Sequence, residues 1–238
     1  MGEPTVFHIT QYKAGSQWIR HLLAKCFPDK LIEHKIGLEH FLKDPIQAGF
    51  IYPTVYVDRP TFYAVPKPEN SRHFVILRDL RDITVSAYYS LKISHPEMQG
   101  VSEVRPLLNS LAKEEGLIWT VETWLRENAE ILSSWVESGE PWIRYEDLLE
   151  NDVEILQHTL INQCGLPIDP KDLEEKILSV RFKQLTTRER GQEDVRNHFR
   201  KGIAGDWKNH FTPRIKERFK ELYGEKLIHA GYEKNNDW

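Results

Sequence analysis

The sequence predicts an α/β fold: a single domain over residues 1–238, with a central parallel sheet flanked by helices. Three observations predict it. Thr5-Val-Phe-His-Ile-Thr10 has the β-branched and aromatic content of a short buried strand, and it leads through Lys13 and Gly15 into a helix whose apolar face is Trp18, Ile19, Leu22 and Leu23. His73-Phe-Val-Ile-Leu77 is an unbroken apolar run, the mark of a parallel strand buried on both faces, and a second helix pattern follows it directly. No repeat, low-complexity segment or Pro/Gly/Ser-rich linker divides the chain. Strands alternating with helices in this way build a parallel sheet with right-handed crossovers.

Taken in order, the first strand and helix enclose a turn with one Lys and one Gly, and Ser16 is placed to cap the helix. Such a strand–loop–helix is an anion cradle, because the N–H groups and dipole of the helix N-terminus favour negative charge and the Lys adds a full positive one. Residues 30–36 fit either a short strand or a connector, and residues 37–50 a short helix or loop around Leu38, Phe41 and Leu42. Pro53-Thr-Val-Tyr-Val-Asp58 predicts a second strand, stopped by Arg59-Pro60. Residues 61–70, with Phe62, Tyr63, Val65 and two prolines, fit a surface loop or a pocket wall equally well. Beyond Leu77, Asp79 or Asp82 is placed to cap a helix bearing Val85, Tyr88 and Tyr89, and Ser94-His-Pro96 ends it.

Residues 102–138 carry a helical pattern that Gly116 is expected to break, with its tryptophans read as core packing. Pro141-Trp-Ile-Arg-Tyr145 reads as a short strand, with Glu146-Asp147 at the start of a helix. Residues 153–164 are amphipathic and stop at Gly165. Asp169-Pro170 is an N-cap followed by Pro in the first helical position, opening a helix to about Val180. Residues 184–197, polar and with Gly191, read as a mobile loop, and Thr212-Pro213 opens a last helix lined by Ile215, Phe219, Leu222, Tyr223, Leu227 and Ile228.

Composition narrows the function. A net charge of −4 argues against bulk nucleic-acid or anionic-membrane binding, while leaving room for a local basic pocket that holds a small polyanion. Cys26 and Cys164 lie far apart and form no metal or redox motif, so they read as reduced thiols. No apolar run approaches the roughly 18 residues of a membrane span, and the first residues lack a basic-then-apolar signal pattern. The expectation is a cytoplasmic protein with a small-molecule partner and neither nucleic acid nor membrane.

The loop is not the nucleotide-binding pattern Gly-x-x-x-x-Gly-Lys-Ser/Thr, because here the Lys precedes the Gly by two positions. Lys13-Ala-Gly-Ser-Gln-Trp18 instead resembles the 5′-phosphosulfate loop of sulfotransferases, Tyr-Pro-Lys-Ser-Gly-Thr-Thr-Trp. Lys13, Gly15 and Trp18 match, Ser16 replaces a Thr, and Tyr12, Ala14 and Gln17 depart. Val75-Ile-Leu-Arg-Asp-Leu-Arg-Asp-Ile-Thr-Val-Ser86-Ala-Tyr-Tyr89 resembles the second motif of that family, in which the Arg and Ser at the positions of Arg78 and Ser86 hold a 3′-phosphate. A guanidinium fork with a hydroxyl donor suits a phosphate dianion. Arg200-Lys-Gly-Ile-Ala-Gly-Asp-Trp-Lys208 resembles the C-terminal Arg-Lys-Gly-x-x-Gly-Asp-Trp-Lys segment nearly letter for letter, which implies Arg200, Lys201 and the Gly202 N–H on the same phosphate. Tyr145 in Tyr-Glu-Asp-Leu148 matches a residue facing adenine, and Phe182 and Leu185 fall in a segment similar to one that packs on the base.

The resemblance implies a sulfotransferase of the cytosolic type using 3′-phosphoadenosine-5′-phosphosulfate (PAPS) and releasing 3′,5′-adenosine bisphosphate (PAP), with Lys13, Ala14, Gly15, Ser16, Gln17 and Trp18 around the phosphosulfate. The acceptor is expected to be a small alcohol or phenol. Arg78 stands where a nucleoside-triphosphate hydrolase would carry an acidic Mg²⁺ ligand, so no metal is expected and a nucleotide kinase is the alternative. A non-catalytic PAPS- or PAP-binding protein is the other, set against the retention of Lys13. Lys13 and Asp58 are the candidate catalytic residues: Lys13 for the leaving group, and Asp58 as base, since it stands where the family carries a His after its second strand. His34, His40 and His95 remain open as alternative bases.

Overall fold

Strands β1 (Thr5–Thr10), β2 (Ile51–Val55), β3 (Ser71–Leu77) and β4 (Ile143–Arg144) form one parallel sheet in the spatial order β2-β1-β3-β4. The structure is a computed structural model and describes residues 2–98 and 100–238. Pairing of β1 with β3 runs without a break from Thr5 opposite Ser71 to Thr10 opposite Ile76, whereas the β1–β2 register shifts between Phe7 and Ile9. Side chains alternate across a strand, and the two core clusters follow that alternation. Phe7, Ile9, Val75 and Leu77 join Phe41, Phe62 and Trp135 on one face, while Val6, Phe74 and Ile76 join Trp18, Leu22, Leu148 and Leu160 on the other. The sheet is therefore covered on both sides, as its apolar strands require.

The helices are α1 (Ser16–Cys26), α2 (Glu39–Leu42), α3 (Arg59–Ala64), α4 (Leu80–Tyr89), α5 (Val101–Ser110), α6 (Lys113–Trp119), α7 (Arg126–Val136), α8 (Tyr145–Gln157), α9 (Pro170–Ser179), α10 (Phe182–Thr186) and α11 (Pro213–His229). Their starts obey the capping signals in the sequence. Asp79 accepts the Arg81 N–H, Asp169 those of Lys171 and Asp172, and Thr212 that of Ile215. No helix among the described residues is long and apolar enough to cross a membrane.

Several expectations change. The second strand spans Ile51–Val55 rather than residues 53–58, because Asp58 caps α3 and Pro60 sits in its first turn. Much of the stretch read as loop or pocket wall is thus helical, with Phe62 only 2% exposed in the core. Gly116 does not break the long helical stretch. It lies inside α6, where a Cβ would come within 2.6 Å of the Tyr88 ring, and the break falls at Leu111–Ala112 instead. Residues 30–36 contribute one isolated bridge, Leu31 to Ile51, and no full strand. The fourth strand shrinks to Ile143–Arg144 because Tyr145 already begins α8, which runs on, kinked at Asn151, into a wider turn ending at Gln163. Residues 182–186, in part assigned to a mobile loop, are α10.

The chain leaves β1 for β2 on one side and returns to β3 on the other. The loops after β1 and β3 therefore diverge at their carboxyl ends, the place where open parallel sheets bind ligands.

Candidate functional site

The site begins in the turn after β1. Gly15 has φ 85° and is the residue before α1; a Cβ there would come within 2.6 Å of the Tyr145 ring, so the turn is open to glycine alone. Ser16, expected to cap the helix, does not do so. The α1 N-terminus has no side-chain cap, and the Ser16 hydroxyl lies 2.8 Å from the Tyr56 hydroxyl. Lys13 also has a left-handed backbone, φ 68°, a conformation that costs a non-glycine residue about 1–3 kcal/mol. Its Nζ donates to Ser90 Oγ at 3.0 Å, beyond the end of α4. Burial, then the nearby Arg78 and Arg200 guanidiniums, lower the Lys13 amine to about 7.

Arg78 sits where β3 ends. Gln11 fixes its position: Gln11 Oε1 accepts the Arg78 backbone N–H at 2.8 Å, and Gln11 Nε2 donates to Asn128 O at 2.9 Å. The Arg78 guanidinium donates to Lys13 O at 3.0 Å and Ile203 O at 3.3 Å, and stacks 4.6 Å above the Tyr145 ring. Its Nε is buried without a partner among the described residues. A buried, unmatched charged donor is costly, so this atom fits an anionic ligand.

From the far end of the chain, Arg200 and Lys201 reach the same place. Gly202, φ 67°, lets its backbone meet the face of Phe182, where a Cβ would come within 2.5 Å of the ring. Asp206 holds both cations, Arg200 at 2.5 Å and Lys201 at 2.6 Å. Burial acts to raise the Asp206 carboxyl, but bonds from His210, Lys201, Asn209 and Arg200 outweigh it and keep it well below the usual carboxylate range.

A cavity of about 540 Å³ joins these pieces. Lys13, Gly15, Ser16, Gln17, Trp18, Arg78, Ser86, Tyr145, Phe182, Arg200, Lys201 and Gly202 all line it. Ala14 and Leu185 do not: Ala14 is wholly buried under the turn, and Leu185 packs against the core cluster that contains Trp18. Besides its four cations the cavity is lined by Tyr12, Tyr56, Leu91, Met98, Val101 and Trp124, with the Tyr12 and Tyr56 rings stacked 3.9 Å apart.

The structure does not bring Asp58 to this cavity. Its carboxylate accepts the Thr61 N–H at 2.8 Å as the cap of α3, so the side chain serves the helix instead of the site. We expect Asp58→Asn, which preserves a good cap, to leave both turnover and stability near wild type. Asp58→Ala should cost about 1 kcal/mol in urea denaturation with the rate per folded molecule unchanged. A hundredfold loss of rate in Asp58→Asn would return the carboxylate to the reaction.

Among the open alternatives, His34 and His95 line the cavity and His40 does not, being buried with Nε2 3.3 Å from Thr54 O. Burial, then His40 and Arg20, lower the His34 imidazole, and its Nδ1 has no partner among the described residues. Ser90, Gln11 and His198 escaped sequence reasoning. His198 lines the cavity, and burial, then the Lys13 charge, bring it to about 4. No local pattern marks these residues, since their roles come from elements distant in sequence.

Known proteins resemble this chain in sequence or in fold. A 3-alpha-hydroxysteroid sulfotransferase of Cavia porcellus is 26% identical over 257 residues, covering 94% of this chain and 83% of its own length. A flavonol 3-sulfotransferase of Flaveria bidentis is 27% identical over 190 residues, covering 69% of this chain and 57% of its own. The crystal structure of mouse sulfotransferase SULT7A1 complexed with PAP shares the fold at a TM-score of 0.67 and 17% identity, over 98% of this chain and 86% of that one. Retinol dehydratase in complex with retinol and PAP shares it at 0.53 and 12%, over 95% and 82%. The sulfotransferase domain itself matches residues 63–231, which leaves the Lys13 turn outside the match but takes in Arg78, Ser86, Tyr145, Phe182 and Arg200. With that match over most of its length, the chain belongs to the sulfotransferase family.

Proposed function

We propose that this protein transfers a sulfuryl group from PAPS to a hydroxyl of a small-molecule acceptor. The observation that carries the reading is the meeting of Lys13, Arg78, Ser86, Arg200 and Lys201 around one cavity at the carboxyl ends of β1 and β3. Five hydrogen-bonding side chains, four of them cations, suit a ligand with two separated anionic groups. Arg78, Ser86, Arg200, Lys201 and the Gly202 N–H would hold the 3′-phosphate. Lys13 and the uncapped N-terminus of α1 would hold the phosphosulfate, and the rings of Tyr145 and Phe182 would flank adenine. PAPS, when bound, supplies the sulfuryl group on an anhydride bond.

Lys13 serves the reaction by charge. Negative charge grows on the bridging oxygen as an anhydride of this kind breaks, and a buried ammonium stabilises it more strongly than water could. The uncapped helix N-terminus adds fixed dipoles to the same effect. The aromatic and apolar walls would exclude water and orient a small alcohol or phenol, in keeping with the steroid and flavonol sulfotransferases among the relatives. With Asp58 committed to its cap, the cavity imidazoles, His34, His95 and His198, are the groups placed to take the acceptor proton.

Incubation with ³⁵S-labelled PAPS and a panel of phenols and alcohols tests the reading. Labelled ester forming in step with PAP is expected. Phosphoryl transfer from ATP to the same panel, without sulfuryl transfer, would favour a kinase. Tight PAP binding with no transfer to any acceptor would favour a non-catalytic binder.

A further inference from the structure

We propose that Asp206 is a positioning residue, held in place through Asp82, that sets the arginine–lysine pair for a 3′-phosphate. The proposal rests on the 3′-phosphate reading above. Its geometry is a relay of two buried carboxylates. Asp82, 1% exposed in the first turn of α4, accepts the backbone N–H groups of Gly205 at 2.7 Å and Trp207 at 3.0 Å. These two bonds pin the turn that carries Asp206 onto the helix that follows Arg78. Asp206, 2% exposed, then reaches back: Oδ2 accepts Arg200 at 2.5 Å and His210 at 3.2 Å, and Oδ1 accepts Lys201 at 2.6 Å and Asn209 at 3.0 Å.

The need for such a relay follows from the chain around it. Among the described residues, those between α10 and the helical turn Asp206–Asn209 lie in no helix or strand. Arg200 and Lys201 are therefore long cations on irregular backbone, and each would lose rotamer entropy if ordered only on ligand binding. Asp206 orders them beforehand, which is how preorganisation raises affinity. Repulsion is the second reason. Lys13, Arg78, Arg200 and Lys201 face one cavity, and Arg78 Nη2 lies 3.6 Å from Asp82. Asp82, Asp206 and Glu193, the last paired with Arg200, relieve part of that repulsion. Glu193, Asp206 and His210 lie close enough to suggest a metal cluster, but the Asp206 oxygens are already filled by Arg200 and Lys201.

The discriminating quantity is the ratio of PAP to 5′-AMP affinity, measured by calorimetry on the full chain and on Asp206→Asn, Asp206→Glu and Asp82→Asn. A structural defect lowers the folded fraction and weakens both ligands alike, whereas lost positioning weakens only the ligand with the 3′-phosphate. We expect the ratio to fall about tenfold or more in Asp206→Asn, several-fold in Asp82→Asn, and least in Asp206→Glu, which keeps the charge. Should Asp206→Asn fail to fold, the other two variants give the same readout. A wild-type ratio in the folded variants overturns the proposal while leaving the 3′-phosphate site intact. A wild-type chain that binds PAP and 5′-AMP equally overturns the site itself.

Discussion

Replacing Lys13 with Met, which keeps the length of the side chain and removes its charge, is expected to reduce turnover by about 10²–10³-fold, the loss typical of one transition-state donor in a buried site. Affinity for PAP should fall as well, because the same ammonium meets the product's 5′-phosphate. A pH titration separates this charge from the arginines. In the free protein Lys13 lies near 7, lowered first by burial and then by Arg78 and Arg200. A bound anion offsets those guanidiniums and raises the amine again. Lys13 is then charged in both free and bound states below pH 7, and affinity is flat there. Above 7 the free amine loses its proton, binding must restore it, and affinity falls as pH rises. Calorimetry between pH 7 and 9, where the ligand's phosphates are ionised, should show this decline in wild type and its absence in Lys13→Met. A flat wild-type profile would mean that Lys13 does not meet the anion.

Arg78→Ala is the second large effect. Hydrogen bonds to charged groups are each worth about 1.5–3 kcal/mol, so PAP affinity should fall by roughly 10–100-fold. Affinity for 5′-AMP, which lacks the 3′-phosphate, should change much less, and the preference for PAP should nearly vanish. Arg78→Lys provides the control. It keeps the charge but gives up the planar fork that donates to Lys13 O and Ile203 O and stacks on Tyr145. Its loss should fall between wild type and Ala. An undiminished preference in Arg78→Ala would assign the 3′-phosphate to Arg200 and Lys201 alone.

Legibility varied along the chain for identifiable reasons. Thr5–Thr10 and the His73–Leu77 part of the strand Ser71–Leu77 were readable because both faces of a central strand must be apolar. Asp79, Asp169 and Thr212 were readable as caps because capping depends on neighbours two or three positions away. The second strand was misplaced for a related reason. Tyr56 and Val57 have strand-like side chains, but the pull of a cap at Asp58 and a Pro at position 60 ends the strand at Val55. Gly116 misled in the opposite sense, since its small size serves packing on Tyr88 instead of a break.

The same division runs through the site. Sequence by itself determined the parallel α/β fold and the cradle at Lys13 and Gly15, because residue types and spacing carry them, while the resemblance to sulfotransferase motifs implied the cations Arg78, Arg200 and Lys201. Only the tertiary structure decided what those segments do to one another. It buried Lys13 and set Arg78 and Arg200 near it, which together lower the Lys13 amine, set Ser90 and Gln11 as partners, turned Asp58 into a helix cap, and joined Asp82 to the turn at Asp206. Apart from the Asp58 cap, which is local, these are contacts between residues tens to more than a hundred positions apart, and local patterns of polarity hold no information about which distant polar groups will share a buried space.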